Sequence, residues 1–313
     1  MRRYLFYRIL SVIITILAAS VFVFSMMEMT EGDITSYLFG EEVSSDVIQD
    51  YRGSGEESFL HRYCIFLRSF ISLKWGKSAN GSDIKDLIFS RLPITISLTL
   101  YSLFISIIIV FPLSFRAVLK KNSKSRCILS FISIIGYSLP SFLIAFILVV
   151  LFAVVLKLFP IAGYSPLKSG IFAHFRSLFL PSVTIAVVQS SLYSRMFLAS
   201  LNENLNADYS ISSKAWGLSD KEVLFKEALK PSMTVMIALV FQGLASGIAG
   251  SAVIENIFAL PGLGSLLVSA ALSRDTMLLG ISLLFLSAVI SLLFIVSEIM
   301  LLFADPRARR QYA

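Results

Sequence analysis

Apolar residues gather into six long runs along the chain, at about 9–27, 94–115, 128–156, 179–201, 233–254 and 278–303. An α-helix needs roughly 20 apolar residues to cross the hydrocarbon of a bilayer, so each run predicts a transmembrane helix. The third is overlong and carries Pro140, which predicts a bent helix or a short interfacial helix entering a span. The fourth is the most polar, with Gln189, Ser190, Ser191, Ser194 and Arg195 in its second half. Between the first two runs, Phe59, Leu60, Tyr63, Phe66, Leu67, Phe70 and Ile71 recur at spacings of three and four. That period predicts an amphipathic helix over 59–73, lying on the membrane or against the spans. The residues before it (TEGD, GEEVSSD, DYRGSGEES) are acidic and loop-like.

One polar interruption stands apart. Residues 202–231 hold five acids and four lysines between two apolar runs, and resolve into two short helices around Gly217. The second opens on Ser219-Asp220-Lys221-Glu222, a capping-box pattern in which Ser219 caps and Glu222 reaches back. It puts Val223, Leu224, Ala228 and Leu229 on one side. Gly217 suits a C-cap and a sharp reversal, and Pro231 suits the first turn of a new helix. A solvated connector and a docking knob both fit this pattern. Exposed Trp216, Leu218 and Phe225 would be costly in water and useful in a partner's groove.

Composition fixes the solvent. Of the 313 residues 56% are hydrophobic and 15% charged, against about 25% charged in soluble domains. The fold class is therefore an all-α integral membrane protein of about six transmembrane helices. Basic residues set its orientation: Arg2, Arg3 and Arg8 open the chain, and Arg116, Lys120, Lys121, Lys124 and Arg126 fill the 116–126 loop. Arg307, Arg309 and Arg310 lie in the tail. Residues 28–93 instead hold eleven acids against seven Lys and Arg. Both termini are thus cytoplasmic and 28–93 is extracytoplasmic. The layout is 1–27 (cytoplasmic end and first span), 28–93, a core over 94–303 containing the 202–231 loop, and a 304–313 tail. The net charge of +7 is then mostly a topology signal. Its basic residues sit at span ends and form no stripe, so the partner they imply is the lipid bilayer, not nucleic acid. The Ile9–Met27 run exceeds a signal-peptide core and reads as an uncleaved anchor. Cys64 and Cys127 fall on opposite sides and do not pair.

No Ser/His/Asp or paired-carboxylate constellation appears within the spans, and His61 and His174 lack metal-ligand spacing. Gly76-Lys77-Ser78 ends like a phosphate-binding loop, but the position needing glycine is Ile71. The chain reads as a non-enzyme with no ATP site and no metal. Inside the spans, Gln189 and Gln242, with Tyr193 and Ser246 four residues on, either line a polar translocation pathway or hydrogen-bond between helices. Gly243, Gly247 and Gly250 form a small-xxx-small face suited to helix packing. Glu255 and Asn256 close the fifth span before a Pro261-Gly262 turn and Gly264.

The 208–231 loop resembles the EAA loop of ABC importer permeases, with Ala215, Gly217, Leu218, Val223 and Ala228-Leu229 at its small, glycine and apolar positions. It departs where Ser213-Lys214-Ala215-Trp216-Gly217 stands for the common Ala-Arg-Ala-Lys-Gly, and where Pro231 replaces an asparagine. ENIFALPGLG over 255–264, then Arg274-Asp275 and Asp305-Pro306-Arg307, look like the C-terminal signature of the dipeptide/oligopeptide/nickel permease family. RRYLFYRIL, Trp75-Gly76-Lys77-Ser78 and Arg91-Leu92-Pro93-Ile94-Thr95 match the layout of that family over nearly the whole chain.

The resemblance implies a type I ABC importer permease fold in a bacterial inner membrane. It implies a subunit importing peptides or nickel and metal-chelate solutes beside a second homologous permease, two ABC ATPases and an extracytoplasmic solute-binding protein. ATP and Mg would sit on the ATPases, leaving this chain without a cofactor. Lys214, Ala215, Trp216, Gly217, Leu218, Glu222, Val223, Phe225 and Ala228 would couple to the ATPase. Glu255, Asn256, Pro261, Gly262 and Gly264 would form an outer gate or binding-protein contact. An ABC permease for another solute class is one alternative. A stand-alone transporter or channel is the other; it would need ionisable residues in mid-membrane, whereas Arg195 and Glu298 read as lying toward the cytoplasmic ends.

Overall fold

A computed structural model describes residues 2–29, 59–120 and 124–304, with side chains from Tyr7 onward. The acidic 30–58 stretch and the Asp305-Pro306-Arg307 signature lie outside the described residues. Five helices are long and apolar enough to span a membrane, and a bent pair supplies a sixth crossing. They are α1 (Arg2–Met29), α3 (Ile84–Leu119), the α4–α5 pair (Lys124–Ser138 and Ser141–Val155), α6 (Ile171–Leu205), α8 (Asp220–Ile257) and α10 (Thr276–Ala304). Between them lie α2 (Phe59–Ile71), α7 (Asp208–Ala215) and α9 (Leu263–Leu272).

Local chemistry sets several boundaries. The Asp83 carboxylate accepts the Lys85 and Asp86 N–H groups at 2.8 and 3.4 Å, so α3 starts ten residues before its apolar run. At Pro140 the chain turns by 115° between α4 and α5. Proline lacks the N–H that would continue α4 and pushes Leu139 out of helical geometry. The α2 helix lies against the first span: the Tyr63 and Ser20 hydroxyls meet at 2.6 Å, Arg62 pairs with Glu28 at 3.1 Å, and Phe24 packs among Phe59, Tyr63 and Phe66. The first and last spans pair through Gly280, which sits against Met27 and Val23, and through an Arg8–Glu298 ion pair at 2.6 Å.

The polar fourth run becomes the centre of the bundle. Ser182, Thr184, Ser190, Ser191 and Ser194 of α6 are buried, as are Thr95, Thr99, Ser102 and Ser106 of α3. Thr184, Ser191 and Ser194 donate to carbonyls three or four residues back in their own helix, at 2.7–3.2 Å. Hydroxyls satisfied in this way present little bulk and let helices approach closely.

Pro231 lies in the first turn of an α-helical stretch, Leu229–Ile257, as its position in the sequence predicts, and that stretch follows without a loop from the start of α8 at Asp220. Its turn over Leu224–Ala228 is a π-helix, and the Leu229 N–H bonds to the Leu224 carbonyl five residues back. A proline ring in a helix clashes with the carbonyl four residues earlier. The widened turn just before Pro231 takes up that conflict.

Candidate functional site

The cytoplasmic knob is held from beneath by Asn204 at the end of α6. Its amide donates to the Ser200 carbonyl at 2.8 Å and to the Ser232 hydroxyl at 3.1 Å, and its Oδ1 accepts from the Tyr209 hydroxyl at 2.6 Å. The Ser210 hydroxyl donates to the Asn204 carbonyl at 2.7 Å. Asn204 thus ties α6, α7 and α8 together. Sequence reasoning missed it; the asparagines at 202, 204 and 206, at the junction of an apolar run and a polar loop, were the available signal.

Helix α7 ends in a Schellman motif. The Gly217 N–H bonds to the Lys214 carbonyl at 2.9 Å and the Leu218 N–H to the Ser213 carbonyl at 3.3 Å, with Gly217 at φ 92°. Ser219 then caps α8: the Glu222 N–H reaches the Ser219 hydroxyl at 3.3 Å, and the Ser219 N–H reaches Glu222 Oε2 at 2.9 Å. Lys214 bridges the two helices to Asp220 at 2.9 Å. The Ser219 backbone N–H, its hydroxyl and the Lys226 charge hold the Glu222 carboxyl below its usual range. The capping contribution of a lowered carboxylate is complete above the ordinary glutamate range and is lost as pH falls through the lowered value.

Leu224 and Ala228 are buried in a cluster with Phe197, Leu201 and Val110, and Val223 is fully buried as well. Trp216 is 87% exposed and Phe225 is exposed beside Phe115, whereas Leu218 is only partly exposed. The apolar tip is therefore Trp216 with Phe225. Ala215 and Lys214 are exposed beside it.

The four polar residues read as one pathway fall into two pairs. Gln189 and Tyr193 are buried: Gln189 Nε2 donates to the Gly243 carbonyl at 3.0 Å and its Oε1 accepts from Ser106 at 3.3 Å. Gln242 and Ser246 are exposed. Adjacent helical residues point about 100° apart, so with Gly243 facing α6, Gln242 faces elsewhere. Gly243 and Gly247 meet Tyr193, Gln189 and Thr99, while Gly250 has open space beside it. A Cβ on Gly243 would collide with the Tyr193 hydroxyl. Gly243→Ala is expected to lower the unfolding temperature of the detergent-purified protein, at a cost of about 1–3 kcal/mol. Adding Tyr193→Phe should recover part of the loss, which a double-mutant cycle measures.

The outer turn is closed. Glu255 is fully buried; its Oε1 accepts from the Thr95 hydroxyl at 2.7 Å and its Oε2 from the Ser265 N–H at 2.8 Å. Thr95 in turn accepts the Leu263 N–H at 2.8 Å, so the pair caps the first turn of α9. Gly262 and Gly264 are buried, and a Cβ on Gly262 would strike the Glu255 carboxyl. Asn256 and Pro261 are exposed. Asp275 works alike: Oδ2 takes the Ser78 hydroxyl at 2.6 Å and the Ala79 N–H at 2.8 Å, and Oδ1 caps α10 at Leu278. This joins the Trp75–Ser78 run to the last span.

Arg195, read as lying toward the cytoplasmic end, places its guanidinium 5.2 Å from the centre of the Tyr137 ring. Tyr137 stands thirteen residues into α4. Among the described residues no group of His, Cys, Asp and Glu could hold a metal ion.

Residues 108–310 match the family described as binding-protein-dependent transport system inner membrane component. A peptide transport system permease protein of Brucella abortus is 30% identical over 306 residues, covering 96% of this chain and 97% of its own length. An oligopeptide transport system permease protein of Haemophilus influenzae is 30% identical, covering 93% and 96%. A dipeptide transport system permease protein of Bacillus subtilis is 27% identical, covering 99% and 98%.

Proposed function

This chain belongs to the family of binding-protein-dependent transport inner membrane components, and on that premise we propose that the cargo it imports is peptide. It is a multi-pass inner-membrane permease subunit of an ATP-driven importer. Relatives named for peptide, oligopeptide and dipeptide transport align with it nearly end to end, which supports the cargo. The assembly we propose has a second, similar permease enclosing the pathway, two ABC ATPases below and a solute-binding protein above. ATP and Mg bind on the ATPases, and this chain holds no cofactor.

One observation carries the coupling role. The knob and the fifth span share a single helix, Asp220–Ile257. A push on Phe225 reaches Gly243 and Glu255 along one helix with no loop between, and Trp216 stands just before that helix, across the Gly217 turn and the Ser219 cap. Closure of the ATPase pair on ATP would draw two such knobs together and turn the spans outward.

The test is reconstitution of the permease pair, ATPases and binding protein in proteoliposomes. ATP-dependent accumulation of labelled di- and tripeptide is expected. Accumulation of a nickel chelate with no peptide uptake would overturn the cargo, and uptake without ATPases would overturn the coupling.

A further inference from the structure

We propose that Arg195 is a cargo-binding residue, holding a carboxylate of the passing solute midway through the membrane; this rests on the peptide-importer reading above. The guanidinium is exposed, and among the described residues it meets no acid, only the ring of Tyr137. Beside it opens a recess of about 290 Å³ walled by Ser130, Ser133, Ser194, Leu129 and Ile134. The depth follows from α4. Basic Lys124 and Arg126 mark its cytoplasmic end, and Tyr137 lies eleven residues beyond Arg126. At 1.5 Å per residue that is about 16 Å, near the middle of a hydrocarbon layer about 30 Å thick.

A mid-membrane guanidinium facing lipid would be expensive, so such residues border a water-filled cavity or another protein. Helical phase shows which surface this is. Gln189 and Tyr193 face α8 on one flank of α6, and Gly136 and Ser133 pack on Ser191 at the other. Arg195 and Ala199 lie on the arc between, and both are exposed among the described residues. On α8, Gln242 and Ser246 are exposed one step round from Gly243 and Gly247, on the side bordering that arc. The open face therefore carries a cation, two polar side chains of α8 and serine hydroxyls, and it is the face a second permease must close to make a pathway. The guanidinium fork matches a carboxylate, and every unblocked peptide ends in one. The hydrogen bond of the partly exposed Ser133 to the Ser191 carbonyl leaves its oxygen free to accept from cargo N–H groups.

The experiment compares Arg195→Ala and Arg195→Lys with the wild type in the reconstituted complex, using labelled trialanine and saturating binding protein. Arg195→Ala is expected to lower the maximal uptake rate at least ten-fold, and Arg195→Lys less than three-fold. The second permease and the ATPases should still co-purify, and half-saturation by loaded binding protein should not move. Uptake by Arg195→Ala at the wild-type rate would overturn the proposal. So would loss of the second permease from purified Arg195→Ala, since Arg195 would then pair with that subunit. If the wild-type complex accumulates no peptide, the peptide reading fails instead.

Discussion

Gly217→Val is expected to abolish ATP-driven uptake while leaving the chain inserted and able to bind its ATPase. Gly217 sits at φ 92°, a region L-residues avoid, and an added Cβ meets nothing within 4 Å. The obstacle is therefore backbone strain, not collision. Left-handed backbone costs an ordinary residue roughly 1–2 kcal/mol, and a β-branched one suffers most. The two Schellman bonds and the Lys214–Asp220 bridge, being exposed, cannot hold the turn against that strain. Helix α7 would then tilt away from α8, carrying the exposed Trp216 with it. Gly217→Asn, which tolerates this conformation, should keep most of the uptake, and Gly217→Ala should fall between. The measurement is peptide uptake against ATP hydrolysis in proteoliposomes. Hydrolysis persisting without uptake is the expected result, and full uptake by the valine variant would remove Gly217 from the coupling path.

Glu255→Ala should be the most destabilising single substitution at the outer end of the bundle. It strips the acceptor from the Thr95 hydroxyl and from the Ser265 N–H. Each unsatisfied buried group costs about 1–3 kcal/mol. It also empties the space against which Gly262 is packed. Thermal unfolding of the purified protein should shift down by several degrees, and membrane levels should drop. Glu255→Gln restores one bond but turns its NH2 toward another donor, so it should recover little. Asn256→Ala, next door, should change almost nothing, because that exposed amide only donates to the Ala252 carbonyl of its own helix. Equal stability of Glu255→Ala and wild type would mean the buried carboxyl is not what holds α9 against α3.

The sequence was most legible where the physics is local. Apolar runs of membrane length predicted the spans, and Ser219 with Glu222 predicted its own cap, because both partners lie within one turn. Gly217 was readable for the same reason. Contacts between distant segments left no period to read: Thr95 meets Glu255 and Ser78 meets Asp275 only once the helices pack. Pro231 was legible as a first-turn residue of the helix from Leu229, but the π-helical turn over Leu224–Ala228 that precedes it left no pattern to read. The split of Gln189 from Gln242 was a matter of helical phase, which hydroxyl-rich spans hide by being polar on several faces.

The Arg8–Glu298 pair has a temporal side. Its partners are about 290 residues apart, and chains are made at about 5–20 residues per second. The first span therefore waits in the bilayer for some fifteen seconds to a minute before the last one exists to receive it. During that wait Met27 and Val23 have no Gly280 to rest on, and Arg8 has no Glu298 to pair with. The bundle is thus sealed by a helix that entered first and docks last.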